Sequence, residues 1–410
     1  MPAGEPGAIP PGECDIAIVG AGIVGLALAR ELSERKPGLS IAVLEREDRI
    51  GSHQTGHNSG VVHAGIYYAP GSLKARLCVE GARLLYEFCE RHGVAHERCG
   101  KVIVARGGSE LPRLDELERR GRANGVAGLR RLTGAELAQV EPHCRGVAAL
   151  HSPDTGIADF PGVARALAGL LADRDVSVAV GAGVEGVAVH GRRVVLRHAR
   201  GETRARFGAF CAGGWSDRLA VMAGAPAEPR IVPFRGAYLR LRPDRRHLVR
   251  ALIYPVPDPA LPFLGVHLTR HTSGEVLLGP TALLAGARDA YALGRVRIED
   301  VRSTLAWPGS WRMFRHFWRA GLTEIGHAVS RRALVREAAT YVPELGPQDV
   351  EPAFAGVRAQ ALARDGRLVD DFVVHATERA LHVRNAPSPA ATSALALAGL
   401  IADEVDGAMA

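Results

Sequence analysis

No run of about 18 uncharged apolar residues occurs in the 410-residue chain, which predicts no membrane-spanning helix. Met1 to Gly12 is rich in Pro and Gly and lacks a basic stretch followed by an apolar run. It is therefore expected to be a disordered tail over 1–13 rather than a secretory signal. The six cysteines form no CxxC pair and no metal-ligand spacing, so free thiols in a reducing, cytoplasmic setting and no metal site are expected. Lysine is almost missing: of 51 basic residues, only Lys36, Lys74 and Lys101 are lysine. The formal net charge of +7 is scattered and accompanied by no nucleic-acid motif. Nucleic acid is thus not expected as a partner, although the positive field favours anionic substrates. With 47% hydrophobic and 23% charged residues, disorder, collagen and coiled coil are excluded.

What is present begins with a short apolar run, Asp15 to Val19, followed by Gly20-Ala21-Gly22-Ile23-Val24-Gly25. An Ala- and Leu-rich segment to about Ser33 has helical period, and a second apolar run from Ser40 ends at Glu45. This is strand, tight turn, helix, strand. Gly20 permits the turn, Gly22 lets the backbone approach a pyrophosphate, and Gly25 lets the helix pack on the strand. The phosphates then meet the free N–H groups of the helix start. Glu45 stands at the end of the second strand, where an acid can hold ribose hydroxyls. The pattern predicts dinucleotide binding without choosing between FAD and NAD.

Further pieces point to one nucleotide-binding domain assembled from separated segments. Strands are expected over Val178 to Val189 and Arg193 to His198, and Phe207 to Cys211 runs into Ala212-Gly213-Gly214 with a short helix from Ser216. Near the end, Ala380 to Val383 reads as a strand. A helix is expected over Ala390 to Val405, with Ser388 as N-cap and Pro389 at its first position. Residues 228 to 345 alternate in a manner that predicts antiparallel strands, as at Gly236 to Leu241 and Val266 to Thr269. The predicted fold class is α/β: a Rossmann-like nucleotide domain (14–100, 146–225 and 350–410) and an α+β substrate domain on an antiparallel sheet (101–145 and 226–349).

Several strings carry a resemblance. "HQTGHNSGVVHAGIYYAPGSLKARLC" at 53–78, "IVPFRGAYLRL" at 231–241, "IYPVPDPALPFLGVHLTR" at 253–270, "GVRAQAL" at 356–362 and "LHVRNAPSPAATSALALAGLIADEV" at 381–405 resemble the L-2-hydroxyglutarate dehydrogenases and oxidases. These belong to the D-amino-acid-oxidase-like flavoproteins. The resemblance implies FAD and oxidation of (S)-2-hydroxyglutarate to 2-oxoglutarate. It departs from the family at Ala237, where an acid is usual, and matches poorly over Ala306 to Arg332. The implied FAD contacts are Gly20, Gly22, Ile23, Gly25, Glu45, Arg46, Thr55, His57, Asn58, Ser59, Val184, Gly213, Asn385, Ser388, Pro389, Ala390 and Thr392. The positive end of the last helix could face the flavin's pyrimidine edge.

Oxidising a 2-hydroxy acid requires a base for the hydroxyl, hydride transfer from Cα to flavin N5, and anchors for two carboxylates. A neutral His is the natural base; His63 ranks first, then His57 and His267. Arg358 and Arg235 offer bidentate carboxylate binding, with Lys74 and Tyr67 as further contacts. The partners expected are a dicarboxylate substrate and either oxygen or a quinone as electron acceptor. An amino-acid or amine oxidase is the alternative. Trp307, Trp311, Phe314 and Trp318 recur at helical spacing with Arg312, Arg315, His316 and Arg319 between them, which predicts an amphipathic helix whose aromatics either pack on the substrate domain or make peripheral contact with the inner face of a membrane.

Overall fold

The computed structural model describes residues 9–259 and 264–409. Residues 1–8 of the expected tail lie outside that range. The rest of the tail is partly tied down, since the Gly12 carbonyl accepts from the Arg204 N–H at 2.9 Å and Glu13 already opens a strand.

Strand Glu13–Val19 lies between two parallel neighbours, Ile41–Leu44 and Gly201–Phe210. Val176–Ala179 and Ala380–Asn385 extend the parallel ladder on either side. From Ile16 to Val19 the first strand is apolar because both faces are covered. Ile16 and Ile18 join a core with the helices Ile23–Arg35, Phe160–Leu171 and Ala394–Met409, while Ala17 and Val19 face a second core that includes Leu219 and Val194. Gly20 has φ +105°, and a Cβ on Gly25 would lie 2.0 Å from the Gly20 carbonyl oxygen. The tight turn and the close helix–strand contact therefore both require glycine.

A second sheet holds the strands Lys101–Ala105, Arg130–Thr133, Ala148–Ser152, Arg230–Leu241, Leu252–Pro255, His267–Arg270, Val276–Gly279, Leu283–Leu284 and Val350–Leu362. Its pairings are antiparallel except for Leu252–Pro255 beside Lys101–Ala105. The sequence division differs here at two strands. Ala148–Ser152 and Val350–Leu362, expected with the nucleotide segments, pair instead with Lys101–Ala105 and Arg230–Leu241.

Two helices also differ from expectation. The last one begins at Ala394, not Ala390. Thr392 Oγ1 accepts from the His63 N–H and donates to the Val61 carbonyl, and Gly81 packs directly on Ser393, so residues 390–393 are pinned in turns. Ser388 is accordingly in the loop and not a cap. The aromatic helix spans Pro308–Val329, but Phe317 is non-helical (φ −105°, ψ 19°). The expected single face is not kept: Trp307 precedes the helix, is 6% exposed and donates to the Leu362 carbonyl, whereas Trp311 and Trp318 are 59% and 56% exposed. Among the described residues no helix is long and apolar enough to cross a membrane.

Candidate active site

Two clefts meet where the sheets adjoin. The first, with about 1450 Å³ of empty space including its mouth, is built on the turn after Glu13–Val19. Gly20, Gly22, Ile23, Glu45, Arg46, Thr55, Val184, Gly213 and Asn385 line it. Glu45 is buried and its Oε2 accepts from the Ala21 N–H at 2.8 Å, which fixes the carboxylate at the rim of the turn. Thr55 Oγ1 accepts from the Ile23 N–H at 3.0 Å. Arg46 lies over the Trp215 ring at 3.6 Å. Gly25 does not line the cleft; its role is helix packing.

The cleft fits a dinucleotide. A Cβ on Gly22 would meet only Thr55 Oγ1, at 3.4 Å, so the protein itself leaves room there. That space lies against the start of the Ile23–Arg35 helix, whose side chains provide no cap. Arg384 is a lining residue that the sequence reading did not single out. It is 1% exposed, donates to the Pro229 carbonyl at 3.0 Å, and keeps a buried Nε without a partner. Burial pulls its pKa down.

The second cleft, about 1810 Å³, shares Gln54, Ala359, Ala386, Ala390 and Ala391 with the first, so one elongated ligand can span both. Of the FAD candidates, His57, Asn58, Ser59, Ser388, Pro389 and Thr392 line it, and Ala390 lines both clefts. Asn58 holds its own loop, donating to the Gln54 and Thr55 carbonyls and accepting from the Gly60 N–H. The substrate candidates His63, His267, Arg358, Lys74 and Tyr67 converge on this same cavity. Tyr238 and Tyr254 also line it; Tyr238 sits inside the quoted 231–241 motif, where it could have been noticed.

His63 is half-buried, with Nε2 3.3 Å from Ser388 Oγ, and desolvation together with the Lys101, His267 and Lys74 charges holds its pKa well below the ordinary value. His267 stacks on Tyr254 at 4.1 Å. Its Nδ1 is 2.8 Å from the Gly265 carbonyl, which can only accept, so Nδ1 carries the proton and Nε2 keeps its lone pair. Burial lowers its pKa to about 3. His57 stacks on Tyr291 at 4.0 Å and its Nδ1 donates to the His53 carbonyl. Lys74 is buried and paired with Asp370 at 2.8 Å. Asp370 is the one acid lining the cavity among the described residues.

Arg235 is not brought to the cavity. It is paired across the sheet with Val357, next to Arg358, and its guanidinium donates to the Tyr291 carbonyl at 3.4 Å. Strand alternation separates neighbouring side chains, so Arg358 and its neighbour's partner leave on opposite faces. Ala237, where the family's acid is missing, is likewise not a lining residue; its N–H donates to Thr281 Oγ1 at 3.0 Å.

Comparison with known proteins agrees with this geometry. The family model described as FAD dependent oxidoreductase matches residues 15–404. The chain is 46% identical over 408 residues to the mitochondrial L-2-hydroxyglutarate dehydrogenase of Homo sapiens, covering 95% of this chain and 88% of that one. It is 41% identical over 389 residues to the L-2-hydroxyglutarate dehydrogenase of Indibacter alkaliphilus, covering 95% and 98%. Among solved structures it resembles the FAD-bound L-alpha-glycerophosphate oxidase of Mycoplasma pneumoniae, with TM-score 0.78, 22% identity, and coverage of 95% and 94%. Glycine oxidase from Bacillus cereus follows the same fold, with TM-score 0.67, 18% identity, and coverage of 96% and 95%. The chain belongs to the FAD-dependent oxidoreductases, within the family of the L-2-hydroxyglutarate dehydrogenases.

Proposed function

We propose that the protein oxidises (S)-2-hydroxyglutarate to 2-oxoglutarate. The observation that carries this reading is a cavity in which two cations, Arg358 and Lys74, and two histidines, His63 and His267, line one wall or another, while the lining acid is already paired with Lys74. Such a lining suits two carboxylates and a hydroxyl. It offers no unpaired acid for the ammonium of an amino acid, which weighs against the amine-oxidase alternative.

FAD, held by residues such as Gly22, Glu45, Thr55 and Ala390, would supply a two-electron acceptor. Arg358 engages one carboxylate with its fork of donors, and Lys74 draws the other. We assign the base to His63. It sits against the 386–392 loop between the clefts, and its Nε2 lies next to Ser388. The neutral imidazole takes the hydroxyl proton as the Cα–H electrons depart. His267 presents its Nε2 from the opposite, substrate-sheet side and orients the hydroxyl. Anaerobic mixing with (S)-2-hydroxyglutarate should bleach the flavin, whereas the (R) enantiomer and L-glutamate should leave it oxidised. Bleaching by amino acids alone would replace this reading. His63→Ala is expected to slow the bleaching about 10²–10⁴-fold with FAD retained. A wild-type rate in His63→Ala with a slow His267→Ala would move the base to His267.

The electron acceptor we infer is a lipophilic quinone reached at a membrane surface. An apolar cavity of about 1550 Å³ lies beneath the Pro308–Val329 helix and shares Leu264, Pro280 and Leu368 with the substrate cavity. Nine of the fourteen large apolar residues exposed among the described ones lie between Leu284 and Ile325. Trp318, Leu322 and Ile325 recur at helical spacing after Phe317, Trp311 precedes it, and all four are exposed, with the exposed Arg312, Arg315 and Arg319 among them. A soluble quinone analogue should reoxidise the reduced protein faster than air-saturated buffer does. Faster reaction with oxygen would make oxygen the acceptor.

A further inference from the structure

One of the three lysines is placed where a charge is hardest to hold. Lys101 opens the strand Lys101–Ala105 and is 1% exposed. Its Nζ stands 4.4 Å from the Tyr254 ring centroid and 4.9 Å from that of Tyr67. Both rings line the substrate cavity, and Tyr254 also stacks on His267. Lys101 has no ion pair with an acid among the described residues, in contrast to Lys36 and Lys74. The groups that could supply a negative charge beside it are the Cys78 and Cys99 thiols, which burial raises to about 12 and about 11, so neither neutralises it at pH 7. A buried ammonium without an anion is costly unless it serves an anion that arrives later or a group it must keep uncharged.

We propose that Lys101 is a positioning residue for the oxidation assigned above: a fixed positive charge behind Tyr67 and Tyr254 that acts across the cavity on His63, His267 and the carboxylates of the substrate. The proposal rests on the functional reading of the cavity. Around His63 the other charged or titratable groups are Lys74 with its partner Asp370, His267, Cys78, Tyr67 and Tyr68. Around His267 they are Arg358, Tyr254 and, more distantly, His63. Lys101 is the cation common to both histidines. It opposes a proton on either one, which keeps the base available. Because its own charge is unneutralised, it also favours a doubly charged ligand over a singly charged one. The cation–π cage holds the ammonium in place while leaving it behind the rings rather than in contact with substrate.

The test is the pH profile of anaerobic flavin reduction in wild type, Lys101→Met and Lys101→Arg, with FAD content and Tm measured alongside. In Lys101→Met the acid limb should move up by about one pH unit, because a proton on the histidines is no longer opposed, and Lys101→Arg should restore it. Glutarate, a dicarboxylate that cannot be oxidised, should lose about tenfold in affinity in Lys101→Met, while butyrate should lose much less. Should Lys101→Met fail to fold, the wild type carries the same test. Burial lowers the Lys101 pKa to about 8, so the Kd for glutarate should rise above that pH. A superimposable acid limb in Lys101→Met, or a glutarate Kd in the wild type that is flat from about pH 7 to 9.5, overturns the role of Lys101. Failure of (S)-2-hydroxyglutarate to reduce the wild-type flavin overturns the functional reading instead, and the two results are distinct.

Discussion

At Gly25 the difference between glycine and alanine is a single carbon, and that carbon would stand 2.0 Å from the Gly20 carbonyl oxygen. Gly25→Ala should therefore destabilise the nucleotide domain by about 1–3 kcal/mol, seen as a lower denaturation midpoint. At Gly22 the neighbouring protein leaves room, so Gly22→Asp should fold but place an anion against the pyrophosphate and purify colourless. A full flavin complement in Gly22→Asp would mean that the phosphates bind elsewhere. The same reasoning separates Arg358 from Arg235. Arg358→Lys keeps the charge but loses the fork, and should lower kcat/KM for (S)-2-hydroxyglutarate by the worth of one charge-assisted hydrogen bond, about 1.5–3 kcal/mol. Arg235→Lys should change it far less. An equal effect of the two substitutions would remove Arg358 from its special position. These two arginines also mark the limit of what a sequence discloses. Both sit in recognisable motifs, and only the register that pairs Arg235 with Val357 decides which one reaches the cavity. The tautomer of His267 is similarly hidden, because it depends on a carbonyl two residues away, just before the strand begins.

At the scale of elements, the βαβ unit was legible because each of its requirements is local: an apolar run, a glycine turn, a helical repeat and an acid at the next strand end. The pairing of the two long strands Arg230–Leu241 and Val350–Leu362 was not, because it joins residues more than 100 apart and is decided by side-chain packing across the sheet. The start of the last helix was misplaced for a related reason. Ser388-Pro389 has the chemistry of a helix start, but Thr392 is held by the strand Val61–Val62 and the helix waits until Ala394. The aromatic helix was found by its period and then divided by the kink at Phe317, which no residue type announces. Its exposed apolar side chains give a prediction at this scale. Trp311→Ser/Trp318→Ser/Leu322→Ser should reduce co-sedimentation with anionic liposomes at low salt while leaving Tm within about 1 °C, as expected for exposed side chains. If liposome binding persists and Tm falls, these side chains pack on protein instead.

Considered whole, the molecule carries several histidines buried in the neutral state. Burial lowers His267 to about 3 and His382 to about 4, and His382 lies stacked on Phe210 with neither ring nitrogen paired. The unfolded chain takes up protons at these rings near pH 6.5, whereas the folded chain resists them. Stability is thus complete above pH 6.5 and declines as pH falls toward 4, by up to about 1.4 kcal/mol per pH unit for each such histidine. His382→Leu should make the decline measured by chemical denaturation between pH 6.5 and 4.5 shallower; an unaltered slope would assign the acid sensitivity to other groups. The arrangement of the chain adds a constraint in time. The helix Ala394–Met409 shares a core with Ile23–Arg35, and Arg35 and Lys36 reach Asp403 and Asp406 at 2.5 Å each. During synthesis the Ile23–Arg35 helix therefore lacks one wall until the sixteen-residue helix Ala394–Met409, far later in the sequence, has been made. Loss of Ala394–Met409 alone would leave the core face of the Ile23–Arg35 helix open to water.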